Sequence, residues 1–192
     1  MRWRYLLILG LISGVALGLV TQAEAGFSID VDLSRQAAVL LRDGQPIVTS
    51  PISSGKSGHS TPRGQFSVIA KEINHSSATY GQIVDNGGQV IVGDANSSMR
   101  VPSGGHFVRA PMPYFMGFTS LHGLHAGYLP GYPASHGCVR MPSDMARTFF
   151  QSVPLGTPVR IHGEAPIGGA SRPVRATRPT KPARAHWFFH FF

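Results

Sequence analysis

The chain has 192 residues, a formal net charge of +8 at pH 7 and one cysteine. A single cysteine excludes an internal disulfide framework, and the length suits one ordinary domain with its own core. The positive charge collects mostly in the C-terminal segment and no nucleic-acid recognition motif accompanies it. An anionic wall or lipid surface is therefore a better-matched partner than nucleic acid.

The first 25 residues have the composition of a secretory signal peptide. Two arginines precede an apolar run over residues 5–20, and Ala23-Glu24-Ala25 matches an A-x-A cleavage pattern. The run is shorter than the ~20 residues of a spanning helix, which disfavours the alternative of an uncleaved anchor. We expect cleavage after Ala25, export across the inner membrane and a protein of the periplasm or cell envelope.

The segment that follows has the pattern of β-strands. Apolar and polar residues alternate over residues 27–33, which predicts a strand with one buried face. Further strands are predicted over residues 37–41 and 47–48, separated by a turn at residues 42–45. This is the opening of a β-meander.

Residues 53–64 form a loop rich in Gly, Ser and Pro, and residues 66–70 resume a strand pattern. Gly55-Lys56-Ser57 resembles part of a phosphate-binding loop, but Gly58 and Pro62 exclude the helix that such a loop requires. We predict a structural loop with Lys56 in solvent. Residues 73–113 are polar and Gly-rich, with one predicted strand at residues 89–92.

Residues 121–140 carry the chemistry-bearing side chains. They contain Cys138 and three of the nine histidines, at positions 122, 125 and 136. A thiol is nucleophilic as thiolate, and an imidazole within hydrogen-bond reach can take its proton. The Pro/Gly segment at residues 128–134 predicts a loop that folds Cys138 back towards His125.

Small residues surround the thiol and leave room for a carbonyl. Ser135 and Gly137 precede Cys138, and no bulky side chain follows before Val139. We expect the successive amides of His136, Gly137 and Cys138 to face a developing oxyanion. The pattern predicts acyl transfer by a cysteine nucleophile.

Two alternatives compete with the nucleophile. A lone cysteine is often a small buried hydrophobe, although Gly, Ser and His are poor company for a core. A metal site from His122, His125, His136 and Cys138 has plausible zinc ligands. However, histidines three residues apart point to opposite faces of a strand, and the nearby glycines disfavour a helix. We therefore expect no metal and no other cofactor.

The region after the cysteine predicts a short helix and a last strand. Residues 142–144 provide an N-cap with an acidic first turn, and Met145, Phe149 and Phe150 form an apolar stripe that ends near Pro154. Residues 159–161 predict a strand. The predicted fold is mainly β with one or two short helices.

From Glu164 the composition changes to Pro, Ala, Gly and Arg, which predicts a disordered basic tail. Five aromatic residues among the last seven predict contact with a membrane surface or another envelope component, with a tail of no specific role as the alternative. The predicted organisation is a signal peptide at residues 1–25, a catalytic domain at residues 26–163 and a tail at residues 164–192.

Three motifs resemble the L,D-transpeptidase catalytic domain family, also called YkuD-like. Ser135-His136-Gly137-Cys138-Val139-Arg140-Met141, preceded by Leu124-His125-Ala126-Gly127, resembles its cysteine signature. Residues 54–58 and 61–66 resemble its Gly-rich turn, and residues 112–116 resemble a substrate-facing loop. The resemblance spans about residues 27–162 and implies an L,D-transpeptidase-like β-sandwich or mixed sheet.

The resemblance implies roles for individual residues. Cys138 would be the nucleophile and His125 the base, while His122, whose spacing from Ser135 is closer to the family pattern, is the alternative base. The residues that would contact substrate are Ser135, His136, Gly137, Arg140, Tyr114 and His122. Arg140, which stands where the family pattern often has Asn, would pair with a substrate carboxylate. Asp85, Asp94 or a backbone carbonyl would orient the base.

The implied substrate is a peptidoglycan stem tetrapeptide, cleaved between the L-centre of its diamino acid and the terminal D-alanine. A Cys138 thioester would then pass to the amine of another stem, and carbapenem-type β-lactams would be covalent inhibitors. Water as acceptor would give a carboxypeptidase, and a protein lysine would give lipoprotein anchoring. A non-catalytic wall-binding protein is the alternative from another functional class.

Overall fold

The structure, a computed structural model, describes residues 26–167 and 174–177. Within them the chain is mainly β, as predicted, with ten strands in two sheets and one helix. The elements are β1 (Phe27–Asp32), β2 (Ala37–Arg42), β3 (Gln45–Pro51), β4 (Gly64–Ser67), β5 (Ala70–Asp85), β6 (Val90–Asn96), β7 (Gly105–Gly117), β8 (Gly123–Ala126), β9 (Val139–Met141), α1 (Ser143–Ser152) and β10 (Pro158–His162).

The first sheet has the strand order β3-β2-β1-β10-β4. Strands β1 and β2 are antiparallel with Ile29 opposite Leu40, and β1 and β10 are parallel with Val31 opposite Ile161. All four of these side chains are buried. The alternation in the sequence thus predicted the central strands of this sheet, because one face packs on the core.

The second sheet has the order β6-β5-β7-β8-β9 and was largely missed from the sequence. The strand predicted at residues 89–92 is confirmed as part of β6, which reaches Asn96, but the 16-residue β5 and the 13-residue β7 on either side of it were not predicted. Only Ser77, Ile83 and Val84 of β5 are buried. A strand that faces solvent or a cleft on one side carries little apolar alternation.

The helix α1 follows the nucleophile loop. The N-cap lies within the predicted residues 142–144: Pro142 occupies it without a side-chain hydrogen bond, and Asp144 is the acidic residue of the first turn. At the other end, the Lys71 ammonium donates to the carbonyl oxygens of Phe150 (2.7 Å) and Val153 (2.5 Å). These contacts tie the helix to β5.

The two sheets and α1 share one hydrophobic core. Met145 and Phe149 of the helix pack with Leu124 of β8 and with Val31 and Val159 of the first sheet. No helix among the described residues is long and apolar enough to cross a membrane. The predicted signal peptide lies outside the described residues.

Part of the predicted tail contacts the first sheet. The Thr177 amide donates to the Thr49 carbonyl oxygen (3.0 Å), and the Thr49 amide donates to Thr177 Oγ1 (3.2 Å). This bridge lies along β3, the edge strand of the first sheet. The aromatic end of the tail lies outside the described residues, so its predicted contacts stay a prediction.

Candidate active site

Cys138 lies at the end of the nucleophile loop, residues 135–138, immediately before β9. Its side chain lines a cleft of about 1090 Å³ over the second sheet. The sulfur is 3.9 Å from the Leu121 carbonyl oxygen and accepts a hydrogen bond from the Gly123 amide. The thiol is therefore at a cleft wall, which distinguishes it from a cysteine that only fills a core.

The loop at residues 53–56 braces the nucleophile loop through its backbone. Ser53 and Arg140 exchange amide-to-carbonyl hydrogen bonds of 2.9 and 3.0 Å, and the Ser135 amide donates to the Ser54 carbonyl oxygen (3.0 Å). The Lys56 amide in turn donates to the Ser135 carbonyl oxygen (2.9 Å). The Gly- and Ser-rich segment thus has the structural role predicted for it, but Lys56 is paired with Asp94 rather than free in solvent.

Gln36 anchors this brace from the first sheet side. Its side-chain nitrogen donates to Ser54 Oγ and to the Leu33 carbonyl oxygen (2.7 Å each), and its side-chain oxygen accepts from the Ser54 amide (2.9 Å). Gln36 is only 2% exposed and adopts φ 49°. A buried amide with all of these bonds satisfied fixes the position of its neighbours.

Ser135 and Gly137 shape the nucleophile loop internally. Ser135 Oγ donates to the Cys138 carbonyl oxygen and accepts from the Gly137 amide (3.1 Å). Because that amide is already bonded, the expected set of three amides facing an oxyanion is reduced to those of His136 and Cys138. Gly137 has φ +110°, a conformation that L side chains rarely adopt.

His122 lies against the nucleophile loop. A Cβ placed on Gly137 would be 2.6 Å from His122 Cδ2 and Nε2, so glycine is what allows the imidazole to approach. On the other side of the ring, Nδ1 is 3.0 Å from Thr119 Oγ1. Burial lowers the pKa of His122, which keeps the imidazole neutral near pH 7.

His125 is inside β8 and is 5% exposed. Its Nδ1 is hydrogen-bonded to the Ala126 carbonyl oxygen (2.8 Å). A backbone carbonyl therefore orients this ring, which is one of the three orienting groups considered from the sequence. Burial is the largest cause that lowers its pKa to about 4, with Arg140 and His75 acting in the same direction. The ring also lines the cleft.

The His136 side chain takes part in a polar cluster at the cleft. Its Nε2 is 3.1 Å from Asp94 Oδ1, its ring stacks on Tyr80 at 3.9 Å, and His59 contacts it edge-on at 4.7 Å. Asp94 therefore binds His136 and Lys56 instead of orienting His125 or His122. Asp85, the other expected orienting carboxylate, accepts from the amides of its own turn at Gly87 and Gln89.

Arg140 and Tyr114 lie on opposite sides of the second sheet. The Arg140 stem packs over Gly127 and the residue lines the cleft, whereas Tyr114 contacts Phe150 of α1 with ring centroids 5.8 Å apart. Tyr114 has φ +56°, which interrupts the alternation of β7. The partly buried Tyr114 side chain packs against the core and is not among the described residues that line the cleft, so its contact with substrate stays a prediction.

The electrostatics of the site favour a neutral thiol beside a neutral imidazole. Burial raises the pKa of the Cys138 thiol, and the Gly123 amide and the Arg140 guanidinium act against that shift. A raised thiol pKa means that the thiolate has to be generated by a base. In the described residues, no group of three or more His, Cys, Asp or Glu side chains is arranged to hold a metal ion.

Two contributors to the site had no signal in the sequence. Gln36 is one polar residue in a turn, and Thr119 lies in a Phe-Thr-Ser segment without a motif. Only their partners, Ser54 and His122, belong to the motifs recognised above. Polar residues that act through hydrogen bonds carry no periodicity, so the structure was needed to find them.

Comparison with known proteins identifies a family. The family model described as the L,D-transpeptidase catalytic domain, YkuD, matches residues 26–161. L,D-transpeptidase 1 of Mycobacterium tuberculosis is 29% identical over 133 residues, which are 68% of this chain and 48% of that protein. The chain spans less than half the length of the curated relatives it matches.

Solved structures share the fold. The catalytic domain of the Enterococcus faecium L,D-transpeptidase is 25% identical with a TM-score of 0.52, covering 72% of this chain and 98% of that domain. An L,D-transpeptidase in complex with imipenem is 22% identical with a TM-score of 0.54, covering 72% of this chain and 59% of that one.

Proposed function

Because the chain belongs to the L,D-transpeptidase catalytic domain family, we propose that it is a cysteine-dependent acyltransferase that acts on peptidoglycan stem peptides. The observation that carries the proposal is the sole cysteine at a cleft wall, with His122 packed against the adjoining Gly137. In the proposed reaction, the Cys138 sulfur attacks the carbonyl between the diamino acid and the terminal D-alanine. The thioester forms, the C–N bond breaks and D-alanine leaves with the proton.

We assign the base to His122 in place of His125, which the sequence favoured. His122 borders the nucleophile loop, whereas His125 is only 5% exposed, is held by the Ala126 carbonyl oxygen and has a pKa of about 4. With its proton on Nδ1 and donated to Thr119, His122 keeps the Nε2 lone pair on the side of Gly137. The thiol contacts Leu121 and Gly123 in this structure, so it has to rotate towards the ring or use one bridging water.

The remaining loop residues support the proposal by position. The amides of His136 and Cys138 are the candidates for holding the oxyanion, and Ser135 fixes the loop through its hydroxyl. Arg140, the cation at the cleft wall, is placed for a substrate carboxylate. A second substrate amine then attacks the thioester carbonyl, the C–S bond breaks and the thiol regains its proton from His122.

Carbapenem acylation tests the nucleophile. A related L,D-transpeptidase has been solved in complex with imipenem, and we expect the same class of β-lactam to acylate Cys138. Intact-mass spectrometry should show one adduct on the wild-type protein and none on Cys138→Ala. A wild-type protein that stays unmodified would instead favour the non-catalytic wall-binding protein.

The acceptor separates the remaining alternatives. Muropeptide analysis after incubation of cell walls with the protein should show new cross-links between stems if the acceptor is another diamino acid. Shortened stems without cross-links would assign a carboxypeptidase, and label transfer to a protein lysine would assign an anchoring enzyme. Such substrates place the protein in the periplasm or cell envelope, in agreement with the signal peptide expected at residues 1–25.

A further inference from the structure

The cleft has one wall that the proposed reaction does not use. Strands β5 and β7 contribute to it, and Glu72 and His75 of β5 line the cleft there. Among the described residues that line the cleft, Glu72 is the only carboxylate, and Arg140 is the only permanently charged cation. The two ends of the cleft therefore carry opposite charges.

The strand register places Glu72 on the face of the sheet that holds the cleft. Glu72 is paired with Phe115 of β7. The Phe115 ring packs directly on Gly123, because a Cβ built on that glycine would be only 2.4 Å from Phe115 Cε2. Gly123 in turn donates its amide to the Cys138 sulfur. The neighbouring Lys71 points the other way, to the end of α1. Side chains alternate along a strand, so Glu72 and the thiol share one face.

The Glu72 carboxylate is hydrogen-bonded through one oxygen and remains accessible to solvent. Its Oε2 is 2.7 Å from His75 Nδ1, and the His75 ring stacks on Phe115 at 4.1 Å with 22° between the planes. The Glu72 side chain nevertheless keeps 53% of its surface exposed. A carboxylate fixed by one oxygen and accessible on the cleft side suits a ligand that brings hydrogen-bond donors and positive charge.

Arg140 supplies the opposite charge near the thiol. It is two residues from Cys138, is paired with His125 across β8 and β9, and takes part in none of the ion pairs between described residues. A ligand that spans the cleft with a carboxylate near the thiol and a cation further along matches this arrangement.

We propose that Glu72, positioned by His75, is a binding subsite for the primary ammonium group of the diamino acid in a stem peptide. The proposal rests on the proposed function. Neighbouring strands are about 4.8 Å apart, so β5 lies about 10 Å from β8. Glu72 thus binds an ammonium group at the end of a long side chain, and it does not act on the atoms that react at Cys138.

The ammonium group belongs to the donor stem, because the side-chain amine of the acceptor has to reach the thioester at Cys138 as the nucleophile. A donor ammonium bound at Glu72 would speed thioester formation, because it positions the carbonyl beside Cys138. Discharge of the thioester by an acceptor amine should not depend on Glu72. The two steps are measured separately.

The test uses two tetrapeptides that end in diamino acid and D-alanine, one with a free side-chain amine and one with that amine acetylated. Single-turnover thioester formation with excess enzyme reports on the donor. Discharge of the preformed thioester by increasing amounts of a second peptide with a free side-chain amine reports on the acceptor step. Glu72→Gln is compared with Glu164→Gln, which makes the same change in an exposed carboxylate paired with Arg63 outside the cleft.

We expect Glu72→Gln to slow thioester formation about tenfold with the charged peptide and to leave the uncharged peptide and the discharge step unaffected. Glu164→Gln should match the wild type with both peptides. Equal rates of thioester formation for Glu72→Gln and wild type with the charged peptide would overturn the subsite, as would an equal loss with charged and uncharged peptides. Circular dichroism and urea unfolding at the wild-type values confirm that Glu72→Gln is folded, and a wild-type enzyme without any thioester would refute the proposed function itself.

Discussion

The two sheets consist of the same kind of strand and differ in what their faces contact. In the first sheet, Ile29, Val31 and Leu40 are at most 1% exposed, because one face packs fully on the core. In the outer strands of the second sheet, Ile73, Val90 and Ile91 are 58%, 51% and 45% exposed. The first sheet therefore stabilises the fold, whereas the face of the second sheet that does not pack on the core forms a wall of the cleft. Substitutions should separate the two roles.

The largest effect should come from the second sheet, at the histidine that borders the nucleophile loop. We expect His122→Gln to slow acylation of Cys138 by a carbapenem about 10²- to 10⁴-fold, the range of general base catalysis. Stopped-flow acylation kinetics measure it, with the exposed His106→Gln as the matched control. Circular dichroism should show both variants folded.

The variant His125→Gln tests the alternative that His125, and not His122, is the base. If His125 were the base, its variant would lose acylation while His122→Gln kept it. We expect the reverse order, since the His125 ring is held by Ala126 inside β8. Loss of acylation in both variants at wild-type stability would mean that the two rings act together.

A core substitution in the first sheet should affect stability and spare the chemistry. Leu40→Ala removes a fully buried side chain and should lower the free energy of unfolding by about 2–5 kcal/mol. Ile73→Ala in β5, at 58% exposure, should change it by less than about 0.5 kcal/mol. Urea unfolding of both variants measures the contrast, and equal losses would show that β5 packs on more than the described residues indicate.

The pH dependence of stability should contain a contribution from His125. Its folded-state pKa of about 4 is below the ordinary 6.5, so between these values the unfolded chain binds a proton that the folded chain does not. Stability is therefore lost as the pH falls from 6.5 towards 4, by about 3 kcal/mol from this residue.

NMR titration of the ring protons checks this prediction directly. A midpoint near 4 for His125 is expected, and a midpoint near 6.5 would contradict its burial. Urea unfolding at pH 7 and pH 4.5 should show a smaller pH dependence in His125→Gln than in His106→Gln.

The sequence predicted the features that depend on apolar pattern or on a specific motif. The alternation in residues 27–33 predicted β1, and the Met145–Phe149 stripe predicted α1, because both elements bury one face. The Gly, Ser and His residues around Cys138 predicted that it does not simply fill the core, and its side chain lines the cleft. Strands β5 and β7 were missed because residues that face a cleft or solvent keep no apolar period.

The choice between the two candidate bases, His122 and His125, stays a prediction for a related reason. His125 is favoured by the sequence because it ends an apolar stretch, and in the structure that stretch is β8, in which His125 is 5% exposed. His122 lies just before β8, where Thr119 orients it. Hydrogen bonds between distant polar residues, such as Gln36 with Ser54, depend on the tertiary structure and leave no trace in the spacing of the sequence.

The smallest effect should come from Asp94, which joins the β5–β6 hairpin to the nucleophile loop through His136 and Lys56. The Lys56 hydrogen bond is the largest cause that lowers the pKa of Asp94, so the carboxylate is charged at neutral pH. The Asp94 side chain is 61% exposed, and exposed ion pairs contribute little and are screened by salt.

We therefore expect Asp94→Asn to slow acylation less than about fivefold at low salt and less still at 1 M salt. Stopped-flow rates at the two ionic strengths measure it, beside Glu164→Gln, which breaks an exposed ion pair outside the cleft. A 100-fold loss that persists in high salt would mean that the β5–β6 hairpin sets the geometry of Cys138. The nucleophile loop would then have to be counted with the second, cleft-forming sheet, because its geometry would depend on that sheet.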